Sequence, residues 1–269
     1  MSTAVAKAKT TELSSDVMDD IFDYAGEGAS FDSSEMIIPF VRVAQSLSPQ
    51  INKKKSEYIE GLSVGDAYNN VTGEWWPGET GLVVVPCYQV TKYLEFVPRE
   101  IGGGFVGEVA PNDSRIQQAT RVGSKEILPN GNELVKSDQH FCIVVAPDGM
   151  TQPVVVDMKS TQLKVSRRWK TQIAMKKVRH PKDGRMITPP VFASTWRLRV
   201  VEETNDKGDF YNWVVEPVGL VEDREVLLEA KSFRDSVAAG EVKAQAEVHP
   251  EAYRPDDQGA PIEDGDIPF

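Results

Sequence analysis

The sequence predicts a β-rich domain, and three features carry the prediction: short runs rich in β-branched and aromatic residues, turn signals between them, and a helical pattern before the last two runs. Short antiparallel strands with one helix inserted before the last pair are expected for a five-stranded Greek-key barrel of the OB type. Parallel βαβ alternation is not seen in the pattern. We therefore expect an OB-like barrel with an inserted helix, elaborated loops, a C-terminal helix and disordered acidic ends.

The strands are predicted from the apolar runs in chain order. The folded part is expected to start at IIPFVRVAQ, from Ile37, and NVTGEWWPGETG is interpreted as a turn-rich hairpin connection. A Gly-, Pro- and Asn-rich stretch, about 98–138, is expected to form a long loop, and PDGM a hairpin turn. The clear strand candidates are residues 82–90, 92–97, 139–146, 152–158, 192–203 and 210–218.

One helix is predicted in the middle of the chain, in STQLKVSRRWKTQIAMKKV, with Ser160 or Thr161 as its N-cap. A second helix, from about Asp223 to Ala239, is expected to close the domain, and a short one is possible at Asp16–Tyr24. The middle helix is predicted because its apolar residues recur at approximately helical spacing: Leu163, Trp169, Ile173 and Val178.

Composition divides the chain into three regions. Residues 1–35 form an acidic arm that is expected to be mostly disordered, and residues 36–240 form the folded domain. Residues 241–269 are predicted to be a flexible linker followed by an acidic tail for protein interaction. No apolar run has the length of a signal peptide core or a membrane span, so we expect a cytoplasmic protein.

Charge is distributed unevenly around a net charge of −11. Residues 1–36 and 241–269 each carry −6, whereas 159–199 hold twelve Lys and Arg against one acid, Asp183, for a net +11. An anionic polymer is the expected partner of such a segment, although a solvated basic face is the alternative. The residues predicted to contact a nucleic-acid backbone are Lys159, Lys164, Arg167, Arg168, Lys170, Lys176, Lys177, Arg179, Arg197 and Arg199.

Aromatic residues could supply faces for the bases of a single strand. Trp75 and Trp76 are the predicted stacking residues, because TGEWWPG is expected to be an exposed turn. Trp169 and Trp196 are predicted to lie in the core, and the period of two in TWRLRV directs its arginines to the opposite face. For Tyr211 and Trp213, core and stacking platform are both open.

Catalytic chemistry has little support in the sequence. No phosphate-binding loop, dinucleotide fingerprint, HExxH or GxSxG motif is present, and the three histidines are scattered. Cys87 and Cys142 have neither the spacing of a zinc site nor that of a disulfide framework. We therefore expect a protein that is not an enzyme and that uses no cofactor and no metal.

The chain stops on PIEDGDIPF, in which acids precede Ile-Pro-Phe: Glu263, Asp264, Asp266, Ile267, Pro268 and Phe269. This ending resembles the C-terminal tip of bacterial single-stranded DNA-binding proteins, a run of aspartates followed by the same three residues. The size and the acidic tail with a terminal aromatic are similar to those of phage-encoded single-stranded DNA-binding proteins. The departures are a longer body, an acid run broken by Gly265, an extra N-terminal arm and no matching motif in the body.

The resemblance implies a body that coats single-stranded DNA in replication, recombination or repair, and a tip that recruits polymerases, helicases or nucleases. For a phage protein the expected compartment is the host cytoplasm, and homo-oligomers are possible. The ring of Phe269 and the restricted backbone of Pro268 suit a small docking site on a partner. The alternatives are a strand-annealing recombination protein and a DNA-processing nuclease tethered through the tip.

Overall fold

The computed structural model describes residues 15–24, 27–28, 37–205, 208–242 and 244. The chain divides into two compact units, Met1–Met36 and Ile37–Phe269. In the first unit, helix α1 (Ser15–Asp23) lies where a short helix was considered possible. Most of the predicted acidic tail, including the whole tip, falls outside the described residues. Within the described part, no helix has the length and apolar character needed to cross a membrane.

The second unit is rich in β-structure, as predicted, but it has more strands than the five expected. Its described residues form thirteen: β1 Phe40–Val43, β2 Ala67–Asn69, β3 Trp75–Trp76, β4 Leu82–Phe96, β5 Phe105–Val109, β6 Thr120–Val122, β7 Lys125–Ile127, β8 Glu133–Val145, β9 Thr151–Lys159, β10 Val178–Arg179, β11 Met186–Ile187, β12 Ser194–Asn205 and β13 Gly208–Leu220. The helices are α2 Ser114–Gln117, α3 Gln162–Met175 and α4 Arg224–Ala239.

Eleven of these strands form one curled sheet. Its main path runs β13-β12-β4-β8-β9-β1-β2-β3, while β5 pairs with β4 and β7 joins β6 to β8. The pairs are antiparallel except for β1 and β9, which run in parallel. The remaining strands, β10 and β11, form a separate two-stranded hairpin. Helix α3 thus connects β9 to this hairpin and to β12.

Strands β4 and β8 are longer than the sequence pattern indicated. The predicted strands 82–90 and 92–97 are one continuous strand, β4, which pairs with β8 from Val84↔Val144 to Phe96↔Glu133. Residues 98–138, expected to be a loop, contain β5, α2, β6, β7 and the first part of β8. The predicted PDGM turn does join β8 to β9. The ladder therefore extends beyond the domain's main core.

The extended end of this ladder is organised around a buried carboxylate. Glu95 is 5% exposed, and its Oε1 accepts hydrogen bonds from Asn130 Nδ2 at 2.7 Å and Asn132 Nδ2 at 2.6 Å. Arg115 Nη1 donates to Glu95 Oε2 at 2.9 Å. A buried carboxylate needs hydrogen-bond donors. Arg115, Asn130 and Asn132, polar residues of the stretch that was predicted to be a loop, supply them to Glu95.

The central strands are buried on both faces. On one face, a large cluster includes Val84, Val144 and Val156 with Trp169 of α3. On the other face, α4 covers the sheet, with Val226 and Ala230 packed against neighbours that include Val85, Cys87 and Ile143. Strands covered twice have continuous apolar sequences, which explains the runs LVVVPC and FCIVV.

Both predicted long helices are present, and only one of them has a side-chain hydrogen bond at its N-cap. Helix α4 begins after Asp223, whose carboxylate accepts from the N–H of Glu225 at 2.6 Å, and it ends at Gly240 in the left-handed conformation. The N-cap position of α3 is Thr161, one of the two predicted residues, but no side-chain hydrogen bond caps this helix. Helix α3 is therefore held in place mainly by its contacts with the sheet.

Candidate nucleic-acid interface

Helix α3 presents one face to the core and one to solvent. Trp169 is completely buried, stacks on His140 with ring centroids 4.6 Å apart, and meets Trp196 edge-on at 6.2 Å. Arg167 and Arg168 lie on the exposed side. The prediction that Trp169 and Trp196 are core residues is confirmed, and the helix is anchored by the aromatic stack.

A buried polar network adds a second anchor for α3. Ser166 Oγ donates to Asp138 Oδ2 at 2.7 Å, so His140 Nε2, at 2.9 Å from the same hydroxyl, acts as donor to it. Lys170 Nζ also donates to Asp138 Oδ2, at 2.6 Å, and Thr91 Oγ1 donates to Asp138 Oδ1 at 2.8 Å. The network ties two turns of α3 to strands β4 and β8.

Burial and hydrogen bonding set the charge states in this network. Burial alone would raise the pKa of Asp138, but hydrogen bonds from Lys170, Ser166 and Thr91 outweigh it and lower the pKa below its ordinary value. Burial lowers the pKa of His140 to about 4. A neutral imidazole and an ionised carboxylate therefore coexist inside the protein. The sequence pattern did not predict this network, although SDQH inside an apolar strand and the Ser166/Lys170 spacing of four residues were its signals.

Four of the ten predicted backbone-contacting cations are engaged in ion pairs. Lys159 is 5% exposed and its Nζ lies 2.7 Å from Asp157, while Lys170 is paired with Asp138. The other two pairs lie nearer the surface, at Lys164–Glu203, 3.0 Å, and Arg199–Glu216. All four acids come from outside the basic segment, so a count of charge within the segment does not include them.

Two further lysines bond to neutral oxygens. Lys176 Nζ donates to the carbonyl oxygen of Gly219 at 2.8 Å and lies 5.7 Å from the ring centroid of Trp196. Burial lowers the pKa of Lys176 below its ordinary value. Lys177 Nζ donates to Thr188 Oγ1 at 2.5 Å and remains exposed. Both ammonium groups are thus held in place by neutral acceptors.

The remaining four cations face solvent. Within the described ranges, no ion pair engages Arg167 or Arg168 on α3, Arg179 on β10, or Arg197 on β12. Arg197 follows the predicted alternation, because Trp196 and Leu198 are buried beside it. Of the ten predicted cations, these four guanidinium groups and Lys177 are the exposed ones that an external anion can reach without breaking an ion pair between described residues.

Trp75 and Trp76 do not lie in the exposed turn that was expected. They form strand β3, which pairs with β2 through Tyr68↔Trp75 and Ala67↔Trp76, and both side chains are half-buried. Trp75 packs with Leu62 and Tyr68, and Trp76 packs against the large cluster. Part of each ring is used by the core, so a base could reach only the remainder.

Of the two residues left open, Trp213 is decided in favour of the core, whereas Tyr211 is half-buried like Trp75 and Trp76. Trp213 is 2% exposed and belongs to the large cluster, against which the half-buried Tyr211 packs. The Trp213 ring is therefore no stacking platform, and a base could reach only the exposed part of the Tyr211 ring.

Metal-binding and thiol chemistry have no assembled site in the part of the chain that is described. No group of three or more His, Cys, Asp or Glu residues there is arranged to hold a metal ion. Cys87 and Cys142 are buried free thiols, and burial raises the pKa of Cys87 to about 12 and that of Cys142 well above its ordinary value.

A sequence model of the family described as the Pam3 phage gp34-like protein matches residues 8–243. The match covers more than half of the chain. The chain belongs to this family of phage proteins. The matched region includes α1, the whole curled sheet and the basic segment, and it ends before the acidic tip. No curated protein and no solved structure matches the chain.

Proposed function

We propose that this phage protein is a non-enzymatic single-stranded DNA-binding protein, which coats and protects DNA strands during replication or recombination in the host cytoplasm. The observation that carries the proposal is the set of exposed guanidinium groups on α3 and the β10–β11 hairpin that make no ion pair among the described residues, at Arg167, Arg168 and Arg179. Exposed cations that no described acid neutralises are available to contact the phosphates of a nucleic-acid backbone. Their contacts would carry no sequence preference.

The strand order supports an OB-type barrel as the binding body. In the path β12-β4-β8-β9, three consecutive antiparallel strands are followed by a fourth that returns beside the first, which is the Greek-key order. Helix α3 lies between the third and fourth strands, and β13 completes the five. On this proposal β1, next to β9, is an addition to the barrel, and the 98–138 region elaborates one of its connections.

The proposed DNA path differs from the one that OB-type barrels ordinarily use. Their second and third strands present a face for oligonucleotides. Here the corresponding strands β8 and β9 have Phe141 and Val155 packed in a cluster with Val237 of α4. Because that face is covered, the strand is proposed to run over the exposed side of α3 and the β10–β11 hairpin instead.

Recruitment of replication or repair proteins is proposed for the acidic tip, on the strength of its resemblance alone. The three acids and Ile-Pro-Phe of residues 263–269 lie outside the described residues. The division of labour would be a cationic body for DNA and an anionic end for proteins.

Charge reversal on α3 tests the DNA-binding proposal. Arg167→Glu/Arg168→Glu should weaken binding of oligo-dT and of mixed-sequence single strands alike, and should make the log–log salt slope shallower by about 0.7 for each phosphate that the variant no longer neutralises. The control is Lys231→Glu/Arg234→Glu, which makes the same charge change on the solvent side of α4. Fluorescence anisotropy at several salt concentrations measures both.

Three outcomes would contradict the proposal. Equal weakening by both double variants would show that net charge, not this surface, governs binding. Full binding by the folded α3 variant would place the site elsewhere. Metal-dependent degradation of the labelled oligonucleotide by the wild type would contradict the non-enzymatic assignment and favour the nuclease.

A further inference from the structure

The β10–β11 hairpin exposes apolar side chains within the basic segment. It stands apart from the main sheet as its own two-stranded ladder. Met186 is 57% exposed and Ile187 42% exposed. The hairpin is ordered by main-chain bonds at its turn, where His180 N–H donates to the Arg185 carbonyl oxygen at 2.8 Å. Two large apolar side chains of this ordered hairpin are therefore exposed to solvent.

The register of the hairpin places Met186 among cations. Arg179 is directly opposite Met186, and Val178 is opposite Ile187. The Lys177–Thr188 hydrogen bond extends this register by one pair. Because side chains alternate between the two faces of a ladder, Lys177, Arg179 and Met186 share a face, whereas Ile187 lies on the other.

We infer that Met186 packs against a base of bound single-stranded DNA while Arg179 and Lys177 contact the adjoining phosphates. The inference rests on the proposed function and identifies the part of that surface that contacts bases. The tryptophans predicted for this role, Trp75 and Trp76, are half-buried in strand β3, whereas Met186 lies on the same ladder face as two cations. The partner is therefore a single strand with accessible bases, not the backbone alone.

Methionine has the chemistry for a contact that tolerates any base. Its thioether is polarisable and makes favourable contacts with aromatic rings, and its unbranched chain adapts to different ring positions. Every base has an aromatic face, so such a contact adds affinity without reading sequence. Arg179, directly across the ladder, supplies the charge that holds the backbone next to that base.

Comparing an oligonucleotide with an abasic one of equal length separates base contacts from phosphate contacts. Met186→Ala should weaken binding of oligo-dT about two- to tenfold, and should leave binding of the abasic oligomer unchanged. Arg179→Ala should weaken both. The control Met150→Ala removes a methionine that is 69% exposed on the β8–β9 turn and should change neither.

The outcomes distinguish this inference from the proposed function. If the wild type does not bind oligo-dT, the proposed function fails. If the wild type binds but Met186→Ala binds oligo-dT equally well, or loses affinity for both oligomers equally, the Met186 contact is overturned while DNA binding stands. Met186→Gln, which keeps the length of the side chain, repeats the comparison if the alanine variant melts at a lower temperature.

Discussion

The side-chain amide of Gln45 pairs with the main chain of Tyr211 in both directions. Nε2 donates to the Tyr211 carbonyl oxygen at 2.8 Å, and Oε1 accepts from the Tyr211 N–H at 3.0 Å. Gln45 lies just beyond β1, and Tyr211 lies in β13, the first strand of the main path. The amide thus makes the two hydrogen bonds that a peptide group of a neighbouring strand would make. It links β13 to the chain just after β1, and these two strands are not neighbours in the sheet.

Truncating this amide should weaken the fold. Gln45→Ala leaves the N–H and carbonyl of Tyr211 without their partner, and each unsatisfied buried group costs about 1–3 kcal/mol. We expect a decrease of about 2–4 kcal/mol in the free energy of unfolding, measured by urea denaturation. Gln117→Ala, at an exposed position of α2, is the control and should change stability little. A decrease at Gln45 no larger than at Gln117 would show that the bridge does not stabilise the sheet.

The buried tryptophans should dominate stability among the aromatic residues. Trp169→Ala and Trp196→Ala should each cost about 3–5 kcal/mol, because each leaves a large cavity in the core. Trp→Phe at the same positions should cost less, since each indole N–H lacks a hydrogen-bond partner among the described residues and phenylalanine removes it. Thermal melts measure whether the alanine variant is less stable than the phenylalanine variant at each position. Equal destabilisation by alanine and phenylalanine would contradict it.

The positions of the main strands and of the two long helices could largely be predicted from local pattern. Residues 82–90 and 139–146 are apolar because α4 covers one face and the large cluster the other. The join at residue 91 could not be predicted, because the polar Thr91 interrupts the apolar pattern. In the structure its hydroxyl donates to the buried Asp138, so a polar residue in mid-strand satisfies a distant carboxylate.

The basic surface was only partly predictable for a related reason. A count of charge along the segment does not show which acids return to it from elsewhere in the chain. Lys170 meets Asp138 from 32 residues away, and Arg199 meets Glu216 across the β12–β13 pair. The alternation of side chains did predict that Arg197 is exposed, because the period of two depends only on neighbours along one strand.

His140 should make stability depend on pH above the range in which carboxylates titrate. Its pKa is about 4 in the folded protein and about 6.5 when unfolded, so the unfolded chain binds the proton more readily as pH falls through this window. Stability is therefore fully present above about pH 6.5 and should fall by up to about 3 kcal/mol by about pH 4. Denaturation between about pH 7 and pH 4.5 measures the slope.

His140→Gln provides the comparison for this effect. The amide of glutamine can still donate to Ser166 Oγ but does not titrate. The variant should show a flatter dependence on pH across the same range, whatever its stability at neutral pH. An identical slope in both proteins would mean that protonation of another group governs the acid sensitivity.

The acidic tip should influence DNA binding through its charges and protein binding through its Phe269 ring. Two variants separate these effects. Glu263→Gln/Asp264→Asn/Asp266→Asn removes three negative charges and keeps Ile-Pro-Phe, whereas Phe269→Ala removes one ring and keeps every acid. Residues 241–269 carry −6 on the same chain as the +11 segment, so tail and DNA should compete.

We expect the triple variant, which lacks three of the tail's negative charges, to bind oligo-dT more tightly than the wild type. The gain should be largest at low salt, where the competition is least screened. We expect Phe269→Ala to bind DNA as the wild type does but to lose most of its affinity for a host replication or repair protein that recognises such tips, because the buried ring supplies that contact. Anisotropy with oligo-dT and calorimetry with the purified host protein measure the two effects. If the triple variant binds DNA no better and Phe269→Ala binds the host protein equally well, the resemblance of this ending to the bacterial tip has no functional meaning.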